Sequence, residues 1–145
     1  MDRPTWRYHG FDTVDFGVEL ATLDGEIWSL TWDPPGVHEG IGIRKKPLIG
    51  PVVAANGPIA VWDATLTSLW SPMVQTSIAA VELHYIPSDP PSPGFSCPRI
   101  SFVTHDARLE VVMADTDQGR LVPAADNVAI LAPETSLPLW LDLVR

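Results

Sequence analysis

Fifteen prolines in 145 residues constrain this chain more than any other feature. Proline has no N–H to donate and its ring clashes with the preceding turn, so a long regular element must fit a proline-free stretch. Such stretches run chiefly over 5–33, 73–86 and 99–122. All three alternate apolar and polar residues with the period of a strand. The chain is therefore predicted to be all-β, a barrel or a two-sheet sandwich of mostly antiparallel strands, with one or two short helical turns.

In the first stretch Val18 and Leu20 share one parity, Asp24-Gly25 is a tight-turn signal, and Trp28, Leu30 and Trp32 alternate with Ile27, Ser29 and Thr31. This predicts a hairpin with the two tryptophans and Leu30 on one core-facing stripe. In the second, Val81, Leu83 and Tyr85 alternate with Ala80, Glu82 and His84, as in a half-buried strand that stops at Pro87. The proline-rich segment 88–94 reads as an exposed, semi-rigid loop. In the third, Arg99–Thr104 and Arg108–Ala114 are strands joined by a turn at His105-Asp106-Ala107, with Leu109, Val111 and Met113 facing inward. Asp115–Gly119 turns the chain again, and a further strand at about 128–132 follows a loop at Pro123–Asn127.

Two helical pieces are expected. Asp63-Ala64-Thr65 can cap a turn that carries Leu66, Leu69 and Trp70 on one face, ended by Pro72. Ser136 could cap a second one carrying Leu137, Trp140, Leu141 and Val144, for which a terminal strand is an alternative. Between Pro34 and Pro72, six prolines and five glycines force frequent turns. No repeat or shift in composition marks a second domain, so residues 1–145 are read as one.

Apolar residues make up 46% of the chain, enough for a sizeable core. No apolar run reaches the length of a membrane span, and the first ten residues lack the apolar segment of a secretion signal; a soluble, cytoplasmic protein is expected. Cys97 is the only cysteine, which excludes an internal disulfide and a multi-cysteine zinc site, and it reads as a buried structural thiol or an idle loop thiol. The net charge of −9 disfavours nucleic acid as a partner, because phosphates need clustered Lys and Arg and the one basic run is Arg44-Lys45-Lys46.

Few residues suggest chemistry. Asp115-Thr116-Asp117-Gln118-Gly119 superficially echoes a calcium loop, but its glycine falls one position early and Asp126 stands where a bidentate Glu is needed, so it reads as a turn. The histidines His9, His38, His84 and His105 show no ligand spacing, and neither a metal nor a cofactor is expected. Glu82 and His84 share a strand face, and His105 with Asp106 ends a neighbouring strand, so a small polar cluster is geometrically possible there. Trp6, Trp62, Trp70 and Trp140 are the tryptophans that the strand pattern leaves less constrained, and Trp62 and Trp70 among them are taken as candidate contacts with a partner or ligand, since recognition surfaces are enriched in Trp. No catalytic residue is assigned.

The charge points to a function. Eight acidic residues against two basic ones fall within 1–43, and seven against three within 101–145. Such a field speeds association with a cationic protein. The expectation is a non-enzymatic protein-binding domain with a basic partner. A small, acidic single domain without a catalytic motif resembles, in type, the immunity proteins that neutralise bacterial toxins. A small-molecule-binding β-barrel and a structural or oligomerisation module are the alternatives.

Overall fold

The computed structural model describes residues 10–33, 40–51, 59–87 and 94–132, together with Trp140. Most of them lie in strands: β1 (Phe11–Val14), β2 (Val18–Ala21), β3 (Ile27–Asp33), β4 (Gly40–Arg44), β5 (Ala80–Pro87), β6 (Phe95–Val103), β7 (Arg108–Asp117) and β8 (Arg120–Leu131). They form a five-stranded sheet in the order β1-β8-β7-β6-β5 and a three-stranded sheet in the order β2-β3-β4, with every neighbouring pair antiparallel. The fold is all-β. Among the described residues the strands fall into two separate sheets, with β1 and β5 outermost in one and β2 and β4 in the other, so the architecture is a sandwich and not a closed barrel. No helix among them is long and apolar enough to cross a membrane.

The hairpin of β2 and β3 turns at Asp24-Gly25 as expected. Gly25 has φ 88°, the Thr22 N–H donates to the Glu26 carbonyl at 2.9 Å, and the Gly25 N–H donates to the Thr22 carbonyl at 3.0 Å. Before it, the chain crosses close to β3 at Gly17, whose φ is +138° and where a Cβ would lie 2.1 Å from the Leu30 carbonyl oxygen. Only glycine permits that approach.

The main core lies between the sheets. Leu30 and Ile41 meet Ile100, Phe102, Leu109, Val111, Met113, Val128 and Ile130 there, with Leu69 and Trp70 joining from the segment before β5. Leu109, Val111 and Met113 point inward as the alternation predicts. Val112 and Ala114 are buried as well, because the opposite face of β7 joins Phe11, Ala129 and Leu131 in a second cluster against which Trp140 packs. A strand covered on both faces loses its alternation, which explains the unbroken apolar run of Val111–Ala114.

Several expectations are corrected. Trp28 is not core: it is 37% exposed, one pair from the hairpin turn and beside residues 21–25, all exposed, where the hairpin runs out beyond the core. Its ring carries the Lys45 ammonium at 5.9 Å. Trp32 is half-buried against the core, its Nε1 donating to the Asp15 carbonyl at 2.9 Å. Val81, Leu83 and Tyr85 do not face a covered interior: each is close to half exposed, because β5 is an edge strand. Leu66 is exposed while Leu69 and Trp70 are buried, since residues 63–76 form successive turns instead of one helical face. The turn after β7 shrinks to Gln118-Gly119, both with positive φ, so Asp115, Thr116 and Asp117 are strand residues. The loop expected at Pro123–Asn127 is a bulge inside β8, because Met113 pairs with Val128 while Ala114 pairs with Pro123. The segment 88–93 and, apart from Trp140, the C-terminal piece lie outside the described residues.

Candidate functional site

Register builds a polar patch on the face of the five-stranded sheet turned away from β2–β4. Glu82, Ser101 and Glu110 are paired neighbours across β5, β6 and β7, His84 pairs with Arg99 in the next row, and Arg108 lies two residues before Glu110. Alternation puts all six side chains on one face. Ser101, Glu110 and Arg99 are buried, and the side chain of His84 is 17% exposed, whereas those of Glu82 and Arg108 reach solvent.

Each partner in this patch is committed. Arg99 grips Glu110 in a two-point contact, Nε to Oε2 at 3.0 Å and Nη2 to Oε1 at 3.1 Å. Arg108 donates its Nε to Glu110 Oε1 at 2.6 Å and its Nη2 to Glu82 Oε2 at 2.6 Å. Ser101 Oγ donates to Glu110 Oε2 at 2.5 Å and accepts from Arg108 Nη2 at 2.9 Å, with His84 Nε2 also 2.9 Å away. Burial alone would raise the Glu110 carboxyl, but the bonds from Arg99, Ser101 and Arg108 outweigh it and hold the group below its ordinary value. Burial, and next the Arg99 charge, push the His84 imidazole below its ordinary value, so at neutral pH it is uncharged.

These states decide the chemistry. An ionised Glu110 only accepts, so the single proton of Ser101 goes to Glu110. His84 Nε2 must then carry a hydrogen and donate to Ser101. A nucleophilic serine needs the reverse, a bare imidazole nitrogen taking the hydroxyl proton and a carboxylate on the other ring nitrogen. Here the carboxylate sits on the serine. The arrangement suits a tie between three strands: two guanidinium and two carboxylate charges balance, and the hydroxyl has no capacity left.

Glu82 and His84 thus belong to one cluster, which His105 and Asp106 do not join. The latter occupy the exposed β6–β7 turn and pair with each other, His105 Nδ1 to Asp106 Oδ1 at 2.6 Å. Trp62 is 50% exposed, whereas Trp70 is buried in the core. Cys97 is buried, its thiol pushed up by burial and donating to the Arg99 carbonyl at 3.3 Å, as a structural thiol would. His9 and His38 lie outside the described residues, among which no group of three or more His, Cys, Asp or Glu is placed to hold a metal ion. Sequence reasoning missed Arg99, Ser101, Arg108 and Glu110. The signal was present as polar residues two apart on two successive strands whose other parity is apolar. No family model, curated protein or solved structure matches the chain.

Proposed function

We propose that this chain is a non-enzymatic, cytoplasmic binding domain whose acidic surface meets a basic protein partner, an immunity-like role. The observation that carries the reading is the excess of 18 acidic residues over nine basic ones. Arg99 and Arg108 are spent on Glu110 and Glu82, and Lys45 on Glu26 at 2.6 Å. Asp15, Asp63, Asp117 and Asp126 stand exposed, and the whole chain retains −9. A field of this sign draws in a cationic protein and repels phosphate backbones. The saturated state of the Ser101 hydroxyl supports binding over catalysis, since this cluster of acid, base and hydroxyl holds its protons in the wrong places for attack.

The test is capture of partners from the lysate of the source cells, at about 0.05 M and about 0.5 M salt. A stoichiometric basic protein retained at low salt and lost at high salt is the expected result. Recovery of no such protein at either salt, or of a partner indifferent to salt, overturns the reading.

A further inference from the structure

The two layers of the sandwich differ in width. β4 lies over β6 and β7, and β3 lies over β8. The five-stranded sheet therefore extends one strand, β5, beyond the edge of the three-stranded one. The inner face of that overhang is apolar. Val81 pairs with Phe102 and Leu83 with Ile100, both core residues, so Val81, Leu83 and Tyr85 face the same way as the core. They are nevertheless 47%, 46% and 50% exposed, and Phe95, paired with Pro87 at the end of the stripe, is 66% exposed. Facing the notch from the other layer, Ile43 of β4 is 38% exposed.

We infer that the chain forms a two-fold homodimer in which the overhanging β5 of each copy fills the notch beside β4 of the other. A rotation by half a turn about an axis parallel to the strands, midway between the layers, lays one overhang over the other. Each layer then runs three strands from one copy into five from its mate, and the outer edges of β4 and β5 meet. A second copy fits because its overhang and the notch have the same width, one strand, and because the side chains that face each other are apolar: the stripe is Val81, Leu83, Tyr85 and Phe95, and the β4 side chain left open beside it is Ile43. An isolated apolar strand from another protein would fill one notch and leave its own edge open; a second copy closes both at once. The four stripe residues expose on the order of 400 Å² per copy, near the upper range for a monomer. Two stripes with two added strand edges reach the roughly 1,200–2,000 Å² of a specific interface.

Charge works against this pairing elsewhere on the surface, since each copy carries −9. Salt screens that repulsion and leaves apolar burial intact, so dimerisation strengthens as salt rises. A basic partner behaves in the opposite way.

Sedimentation of the full chain up to about 0.2 mM, at about 0.05 and 0.5 M salt, tests the inference. The expected species has twice the 15.8 kDa chain mass and is more populated at high salt. Leu83→Lys raises the dissociation constant at least about thirtyfold while the thermal melt stays cooperative, because the side chain is half exposed in the monomer. Leu66→Lys, at a position 93% exposed, is the control and leaves the dimer intact. The two-fold axis places each β5 residue opposite its own counterpart across layers about 10 Å apart, too far for a disulfide, so a bismaleimide of about that span cross-links Val81→Cys, whereas the wild-type chain, with Cys97 buried, is not joined. A monomer at every concentration and both salts overturns the inference and leaves the stripe to another protein. A dimer unaffected by Leu83→Lys, or one in which Val81→Cys fails to cross-link, overturns it equally.

Discussion

Glu110→Gln removes one charge from the centre of the β5–β6–β7 tie and almost no volume. Arg99, whose side chain is 10% exposed, then keeps a buried positive charge without its counter-ion. Arg108 is 39% exposed and can turn to water, so its share of the loss is small. Ser101 also loses a charged acceptor, and the amide nitrogen that replaces one carboxylate oxygen points a donor at donors. Breaking a buried pair from one side costs about 3–5 kcal/mol, a third or so of the stability of an ordinary domain. For a chain of this length that lowers Tm by roughly 10–15 °C. Thermal and urea denaturation at neutral pH, followed by far-UV circular dichroism, measure it. Glu82→Gln is the internal comparison: its pair with Arg108 is open to solvent, and the loss is at most about 1 kcal/mol. The double replacement Arg99→Met with Glu110→Leu restores most of what Glu110→Gln loses, since neither charge is then stranded. A Glu110→Gln protein melting within about 2 °C of wild type would refute the view that this network ties the sheet together.

Acid weakens the same network. The folded-state pKa of His84 lies below its ordinary 6.5, so the unfolded chain binds that proton more tightly; the stability this represents is present above 6.5 and is lost as pH falls through the folded value. Glu110, held below its ordinary 4.5, adds a second loss under that pH. The readout is the fall in Tm between about pH 7.5 and 5 in wild type relative to His84→Gln, which cancels the general effect of net charge; equal slopes contradict the assignment. In the main core, Leu30→Ala, at a site 1% exposed, costs about 3–5 kcal/mol, whereas Trp28→Ala costs about 1–2 because water fills the vacated space and no cavity remains. Urea titrations in which the tryptophan loss is the larger would reverse that placement. Gly17→Ala meets the Leu30 carbonyl and should lose about 3 kcal/mol or more, against about 1 for Gly25→Ala, where φ is +88° and a Cβ touches nothing within 4 Å. Similar losses at the two glycines would show that the Gly17 contact relaxes freely.

The local elements of this fold are legible in the sequence because short-range physics sets them. Asp24-Gly25 turns one hairpin, residues 104–107 turn another, and Pro87 ends β5. Burial is harder to read, because it depends on what lies opposite. Val81, Leu83 and Tyr85 carry the pattern of a strand with one covered face, yet the three-stranded sheet stops short of them. Trp28 has the right parity and the wrong height along the hairpin. Conversely, a polar parity ordinarily means a wet face, and here Ser101 and Glu110 are buried because cross-strand partners satisfy them. Glu82 and His84 were visible as a pair on one strand, but their neighbours depend on a register that alternation leaves open. His105 is adjacent in chain order to β6 and β7 yet belongs to the turn, which holds it away from the cluster.

Which atom holds the Ser101 proton separates a structural tie from a nucleophile, and the tautomer of His84 reports it. Long-range proton–nitrogen correlation spectra of the folded protein at about pH 7.5 distinguish the two ring nitrogens. Hydrogen on Nε2, with an imidazole that titrates below 6.5, is the predicted result, and it means that Glu110 holds the hydroxyl proton and the cluster is a structural tie. Hydrogen on Nδ1 with a bare Nε2 facing Ser101 would contradict the account, for the serine would then donate to the histidine and stand ready as a nucleophile.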